Sequence, residues 1–161
     1  MFFVRYVALI ALVSWLGGML SLVTIAPSVF EVLHASDPER GHWLAGLVLI
    51  DVFRQFHILA YVCGGVLFIC LFIMKFVGPP PSAFLARAAI VVVMLLLSAY
   101  SGLFVSSEIG QIQRQVAGSI SDLPAGDARR SRFEELHRTS GMLLFANAGL
   151  GFALLLWYAR E

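Results

Sequence analysis

Residues Ile58 to Val77 read ILAYVCGGVLFICLFIMKFV, twenty residues with one charge, Lys75, near the end. That length matches the roughly 20 apolar residues a helix needs to cross a hydrocarbon layer ~30 Å thick. Three other runs repeat the pattern: about Tyr6 to Phe30, Ala83 to Val105, and Gly141 to Ala159. No series of short alternating segments with regular turns accompanies them. The helix is therefore the spanning element, because lipid offers no partner to unpaired backbone groups. The sequence predicts an all-α integral membrane protein, an antiparallel up-down four-helix bundle.

Composition agrees. Of 161 residues, 60% are hydrophobic and 13% charged, more apolar surface than a soluble domain of this length hides. The chain has room for a single domain, residues 1–161. Its formal net charge of +1 gives no reason to expect nucleic acid as a partner. Cys63 and Cys70 lie seven residues apart in one run, roughly 10 Å of helical rise and too far for a disulfide. They read as small packing residues. The first run opens like a signal peptide but continues through Leu22, Val23, Ile25 and Ala26 with no small-residue cleavage pattern. It reads as a retained helix.

Helix signals reach beyond the apolar runs. Ser36-Asp37-Pro38-Glu39 supplies a polar cap, a first-turn proline and a glutamate three after the serine, so the second helix should begin near Pro38 and run unbroken to Val77. Gly78-Pro79-Pro80-Pro81 should end it, and Ser82 should cap the third helix, which continues past Glu108 to about Gly118. Pro124 to Asp127 gives a turn and a cap for the fourth. The expected helices, about 3–35, 38–77, 82–118 and 127–160, are roughly 50 to 60 Å long and exceed the ~30 Å core. They should extend beyond the bilayer on the side of the first and third loops. Pro27 is a candidate kink in the first helix.

Orientation follows charge less directly. The terminal side carries Arg5, Lys75, Arg87 and Arg160; the projecting side carries seven arginines and nine acids. A strict Lys/Arg count places the projecting side in the cytoplasm. Many of those arginines fall in helix extensions beside carboxylates, which favours the opposite reading: a bacterial cytoplasmic (inner) membrane with both termini cytoplasmic.

Ionisable residues are costly at depth and so are informative. Here they gather at one height. Glu31 lies 26 residues after Arg5, Glu134 26 before Arg160, Asp51 26 before Val77, and Glu108 25 after Ala83. Glu31 and Glu134 each have a histidine three residues on, His34 and His137, on the same helix face. Two Glu-x-x-His helices plus a carboxylate from each of the other two is the ligand inventory of ferritin-like di-iron bundles. Several carboxylates offset and bridge two divalent ions, and two imidazoles complete the shell. The candidate metal ligands are Glu31, His34, Asp51, His57, Glu108, Glu134 and His137, holding two divalent transition metal ions: iron first, copper or manganese as alternatives. The motifs sit on helices one and four, where that group carries them on two and four. Arg54 either pairs with Asp51 and withdraws it, or His57 replaces it. A competing reading has the carboxylates paired with Arg54, Arg114, Arg130 and Arg138. A further one uses His57 and His137 as axial ligands of haem b.

Trp15, Gly17, Gly18, Gly64, Gly65, Gly149 and Gly151, with Ser98, Ser101 and Gly102, read as close helix contacts, and Asn147 as an interhelical hydrogen bond. The segments from Trp15-Leu16-Gly17-Gly18-Met19 through Pro27 and Phe30 to Ala45-Gly46 and Phe53, and from Phe133-x-x-Leu136-His137-x-x-Ser140 to Asn147, resemble the transmembrane protein 205-like family, also catalogued as domain of unknown function 4149. The resemblance covers most of helices one, two and four. It implies a four-helix membrane protein, and eukaryotic members are associated with platinum-drug resistance. The family pattern includes Leu136-His137 and Asn147.

Three functions follow as expectations. The first is a di-metal protein for redox chemistry or metal handling at the membrane face. The second is a non-catalytic accessory or scaffold subunit, with other membrane subunits or a second copy as partner. The third is a metal or small-molecule exporter, which the scarcity of polar groups in the first helix (Ser14, Ser21, Thr24) disfavours. The sequence shows no Walker loop, nucleophile elbow or Cys-x-x-Cys motif.

Overall fold

The computed structural model describes residues 2–77, 82–116 and 118–160. Its helices are α1 (Phe2–Ser36), α2 (Gly41–Val77), α3 (Phe84–Tyr100), α4 (Ser106–Gln115) and α5 (Ala128–Ala159). A π-helical turn, Ser101–Val105, joins α3 to α4, so the third span runs continuously over Phe84–Gln115. All four spans are long and apolar enough to cross a membrane. No strand occurs among the described residues. The chain is an all-α membrane protein.

α1 packs on α2 and α5, and α3 packs on α2 and α5. Neighbours in sequence are neighbours in space, and the second and fourth spans stand diagonally. The main core is built from Leu12, Trp15, Met19, Leu67, Leu71, Met94 and Leu154, all at or near zero exposure. A second, smaller core joins Val105, Ile112, Val116, Ile120 and Leu136 at the other end. It gives the projecting part its own packing, and the short turn Ile120–Asp122 folds onto it.

The boundaries differ from the sequence reading in instructive ways. α2 begins at Gly41, not Pro38, and is unbroken from there to Val77. Ser36 belongs to α1, its hydroxyl donating to the Val32 carbonyl. Asp37 takes the capping role, accepting from the backbone N–H groups of Glu39 and Arg40 at 3.1 and 3.0 Å. The following turn is so tight that a Cβ on Gly41 would fall onto the Leu33 carbonyl and the His34 Cα. Ser82 does not cap α3. Ala83 stands there in the left-handed region (φ 49°), and Ser82 Oγ instead accepts from Arg87 Nη2 at 3.1 Å. The third span stops at Gln115, short of Gly118, because Val116 turns extended and buries its side chain in the second core. Asp127 caps α5 as expected, accepting from Arg129 N–H at 2.8 Å. Pro27 lies within α1. The Gly78–Pro81 stop signal lies outside the described residues.

Only one glycine of each pair mediates a helix contact. A Cβ on Gly64 would collide with Leu95, and one on Gly151 with Leu16, whereas Gly65 and Gly149 face open space.

Candidate functional site

Counting along the helices places the ionisable layer at a shared height, and one contact across helices supports that height. Arg132 of α5 grips Glu108 of α4 through two bonds, Nε to Oε1 at 2.7 Å and Nη2 to Oε2 at 2.9 Å. The same guanidinium donates to Glu135 at 2.9 Å. Glu134 is turned away, towards Arg130 at 3.1 Å, and Arg130 also donates to the Leu123 carbonyl at 2.9 Å. Asp51 is exposed and pairs with Arg54 at 3.3 Å. Glu31 and His34 are exposed on α1, and His137 is exposed and stacked on Phe133.

These seven residues do not converge. Among the described residues no group of three or more His, Cys, Asp or Glu side chains is placed to hold a metal ion. The expected dinuclear centre does not fit this arrangement, and the physical reason is azimuth. Residue counting sets how far along a helix a carboxylate lies, but packing decides which way it faces. Here the apolar faces turned inward, Asp51, Glu108 and Glu134 turned towards arginines, and Glu31 stayed exposed. The pairing partly follows the competing reading, since Asp51 meets Arg54 and Glu134 meets Arg130. Glu108, however, takes Arg132, not Arg114 or Arg138. Of the two histidines of the haem reading, His57 is buried in the bundle and His137 is exposed.

The structure brings together two other sets. At the α1–α2 hairpin the rings of His34 and His42 lie 4.4 Å apart edge to face. Inside the bundle, His57 of α2, Ser98 of α3, Ser101 of the π turn, and Ser140 and Asn147 of α5 border a small cavity. His57, Ser98 and Asn147 are buried. Asn147 Nδ2 donates to Ser98 Oγ at 2.8 Å and to the Met94 carbonyl at 3.2 Å. This is the interhelical bond expected of Asn147. Tyr61 OH reaches the Ser98 carbonyl at 3.4 Å.

Comparison with protein-family models, curated proteins and solved structures gives no match.

Sequence reasoning missed two buried polar residues. Arg87, whose place beside the Pro-rich loop suggests a surface charge, is fully buried, its guanidinium 5.5 Å from the Trp157 ring and 5.0 Å from that of Tyr158. The aromatic pair Trp157-Tyr158 at the same end of the bundle was the available signal. Gln113 is buried against Gly46, where a Cβ would strike its amide. The spacing of small residues in α2 was the hint there.

Proposed function

We propose that this protein is a small non-catalytic subunit of a larger membrane assembly, docking through its third and fourth spans. An asymmetry in burial carries the proposal. In their most apolar stretches the first two spans have 39% of positions buried within the chain, and the third and fourth only 22%. Leu96, Leu103, Phe104, Phe145 and Phe152 lie exposed on those two spans. Between the phenylalanines of α5 and just beyond, Gly149 and Ala153 are also exposed. They are four apart, the small-residue spacing that lets another helix approach closely in lipid. The occupant is a helix of another subunit or of a second copy.

Photo-crosslinkers at Phe145 and Phe152, compared with Val13 on α1, test the reading in native membranes. Protein adducts specific to α5 that disappear in Gly149→Leu are the expected result. Lipid adducts alone at all three positions would refute it.

Metal handling is the second reading, with iron, copper or manganese as the ion, and the His34–His42 pair favours it. Two neighbouring imidazoles at an exposed hairpin are a transition-metal ligand set with room for water or carboxylate. Elemental analysis of purified protein tests this: metal lost in His34→Ala and in His42→Ala supports it, and metal-free wild type refutes it.

The transmembrane protein 205-like resemblance belongs to the proposal. It is supported by the roles of the residues that carry it: Trp15 is fully buried, Gly18 faces Phe56 of α2, and Asn147 bonds α3. A cytoplasmic-membrane location with cytoplasmic termini is proposed with it.

A further inference from the structure

Asn147 poses a hydrogen-bonding problem that the described groups leave open, and His57 stands beside the same cavity. Both protons of the Asn147 amide are used, one on the Met94 carbonyl and one on Ser98 Oγ. Because a carbonyl only accepts, the nitrogen must face Met94, so Oδ1 points the other way. That Oδ1 is buried and meets no donor among the described residues. Buried acceptors without a partner are rare in folded proteins. His57 Nδ1 lies 2.7 Å from the Phe53 carbonyl. By the same logic Nδ1 carries the proton, and in the neutral ring Nε2 is an acceptor.

The two residues that carry these acceptors, Asn147 and His57, line one cavity. The cavity offers about 20 Å³ to the centre of a water-sized sphere. One water needs roughly 10–15 Å³ by that measure. The hydroxyls of Ser101 and Ser140 line the same space and can donate into it. The π turn contributes Ser101 to the lining, and its Gly102 packs closely on α2, since a Cβ there would sit 2.7 Å from both His57 Cδ2 and Tyr61 OH. Twenty residues of α2, roughly 30 Å, separate His57 from Val77, which puts the cavity near the projecting face of the bilayer, within reach of solvent.

We propose that this cavity is a binding site for one water molecule. The water donates one proton to Asn147 Oδ1 and the other to His57 Nε2, and accepts from Ser101 or Ser140. Water has the two donors the site demands, and no apolar occupant satisfies either acceptor. The bridge ties α2 to α5, the diagonal pair of spans.

The test uses the full chain in lipid nanodiscs, labelled with ¹⁵N-histidine, with His57→Gln assigning the buried ring. Solid-state NMR should show His57 protonated on Nδ1 and unprotonated on Nε2, with magnetisation passing from bound water to the ring. Asn147→Leu should abolish that transfer. Asn147→Leu also removes the bonds to α3, so Ser140→Val, which fills the cavity and leaves Asn147 intact, serves as the second variant and should abolish it too. A proton on Nε2, no water transfer in the wild type, or transfer that survives both variants would overturn the proposal. Broadening of the His57 signals by substoichiometric copper(II) would put a cation there instead and overturn it equally.

Discussion

At Gly102 the third span meets α2 through hydrogen atoms alone. Any Cβ there would press on the His57 ring and the Tyr61 hydroxyl at 2.7 Å, and neither can retreat freely, because His57 is anchored to Phe53 and Tyr61 to Ser98. Gly102→Ala should therefore destabilise the bundle by about 1–3 kcal/mol, the range of an overpacked core. Gly149→Ala, which meets nothing within 4 Å, should be neutral or slightly stabilising through helix propensity. Unfolding in mixed micelles against denaturing detergent measures both, and equal losses would contradict the packing described. Asp127 gives a pH-dependent counterpart outside the membrane spans. The Arg129 guanidinium, and then the Arg129 backbone N–H, hold its carboxyl down to about 2 from an ordinary 3.8. A depressed pKa means that its contribution to the start of α5 is complete above pH 3.8 and fades as pH falls towards 2. Carboxyl-carbon NMR should show this late titration, and Arg129→Ala should move it back up.

Among the elements, the π turn is the feature that sequence did not announce. Hydropathy outlined all four spans, because apolar length is set by the bilayer, and Asp127 marked a helix start in its local chemistry, whereas Ser36 and Ser82 did not cap the helices that follow them. Ser101-Gly102-Leu103-Phe104-Val105 carries no comparable mark. A π turn holds one residue more than the α-helix around it, and only packing against α2 and α5 shows why the extra residue is needed. Deleting Leu103, 65% exposed within the turn, should therefore leave the flanking helices in phase and the protein folded, while disturbing the cavity behind it. Deleting Ile90 instead rotates the remainder of the span by about 100° and turns Val91, Met94 and Ser98 from the core. Yield of monodisperse protein in detergent should separate the two, with Ile90 the damaging deletion. The candidate site was only half legible for a related reason. Residue spacing carries height but not azimuth, so Glu108, assigned to the layer by counting, faces Arg132, and Glu135, not Glu134, shares that cation.

For the molecule as a whole, the up-down order puts both the Asp37–Arg40 turn and the Val116–Asp127 connection at one end. Single cysteines at Glu39 and Ser121 should thus react with a membrane-impermeant thiol reagent from the same side, and one at Phe2 from the other. The native Cys63 and Cys70 are each 5% exposed and free, so they should add little background. Labelling of Glu39 and Ser121 from opposite sides would break the topology. Helix length has a further consequence. α1 and α2 contain 35 and 37 residues, roughly 52 and 56 Å, against ~30 Å of hydrocarbon. A wholly apolar rod of that length would have to tilt steeply or stretch the lipid around it, and would favour the thickest membrane available. Here the surplus end carries the Asp51–Arg54 pair on α2 and, beside it, the Glu108–Arg132 and Arg130–Glu134 pairs and the small core of α4 and α5, an end suited to water. The protein needs no steep tilt, and lipids differing by a few ångströms in chain length should accommodate it equally well.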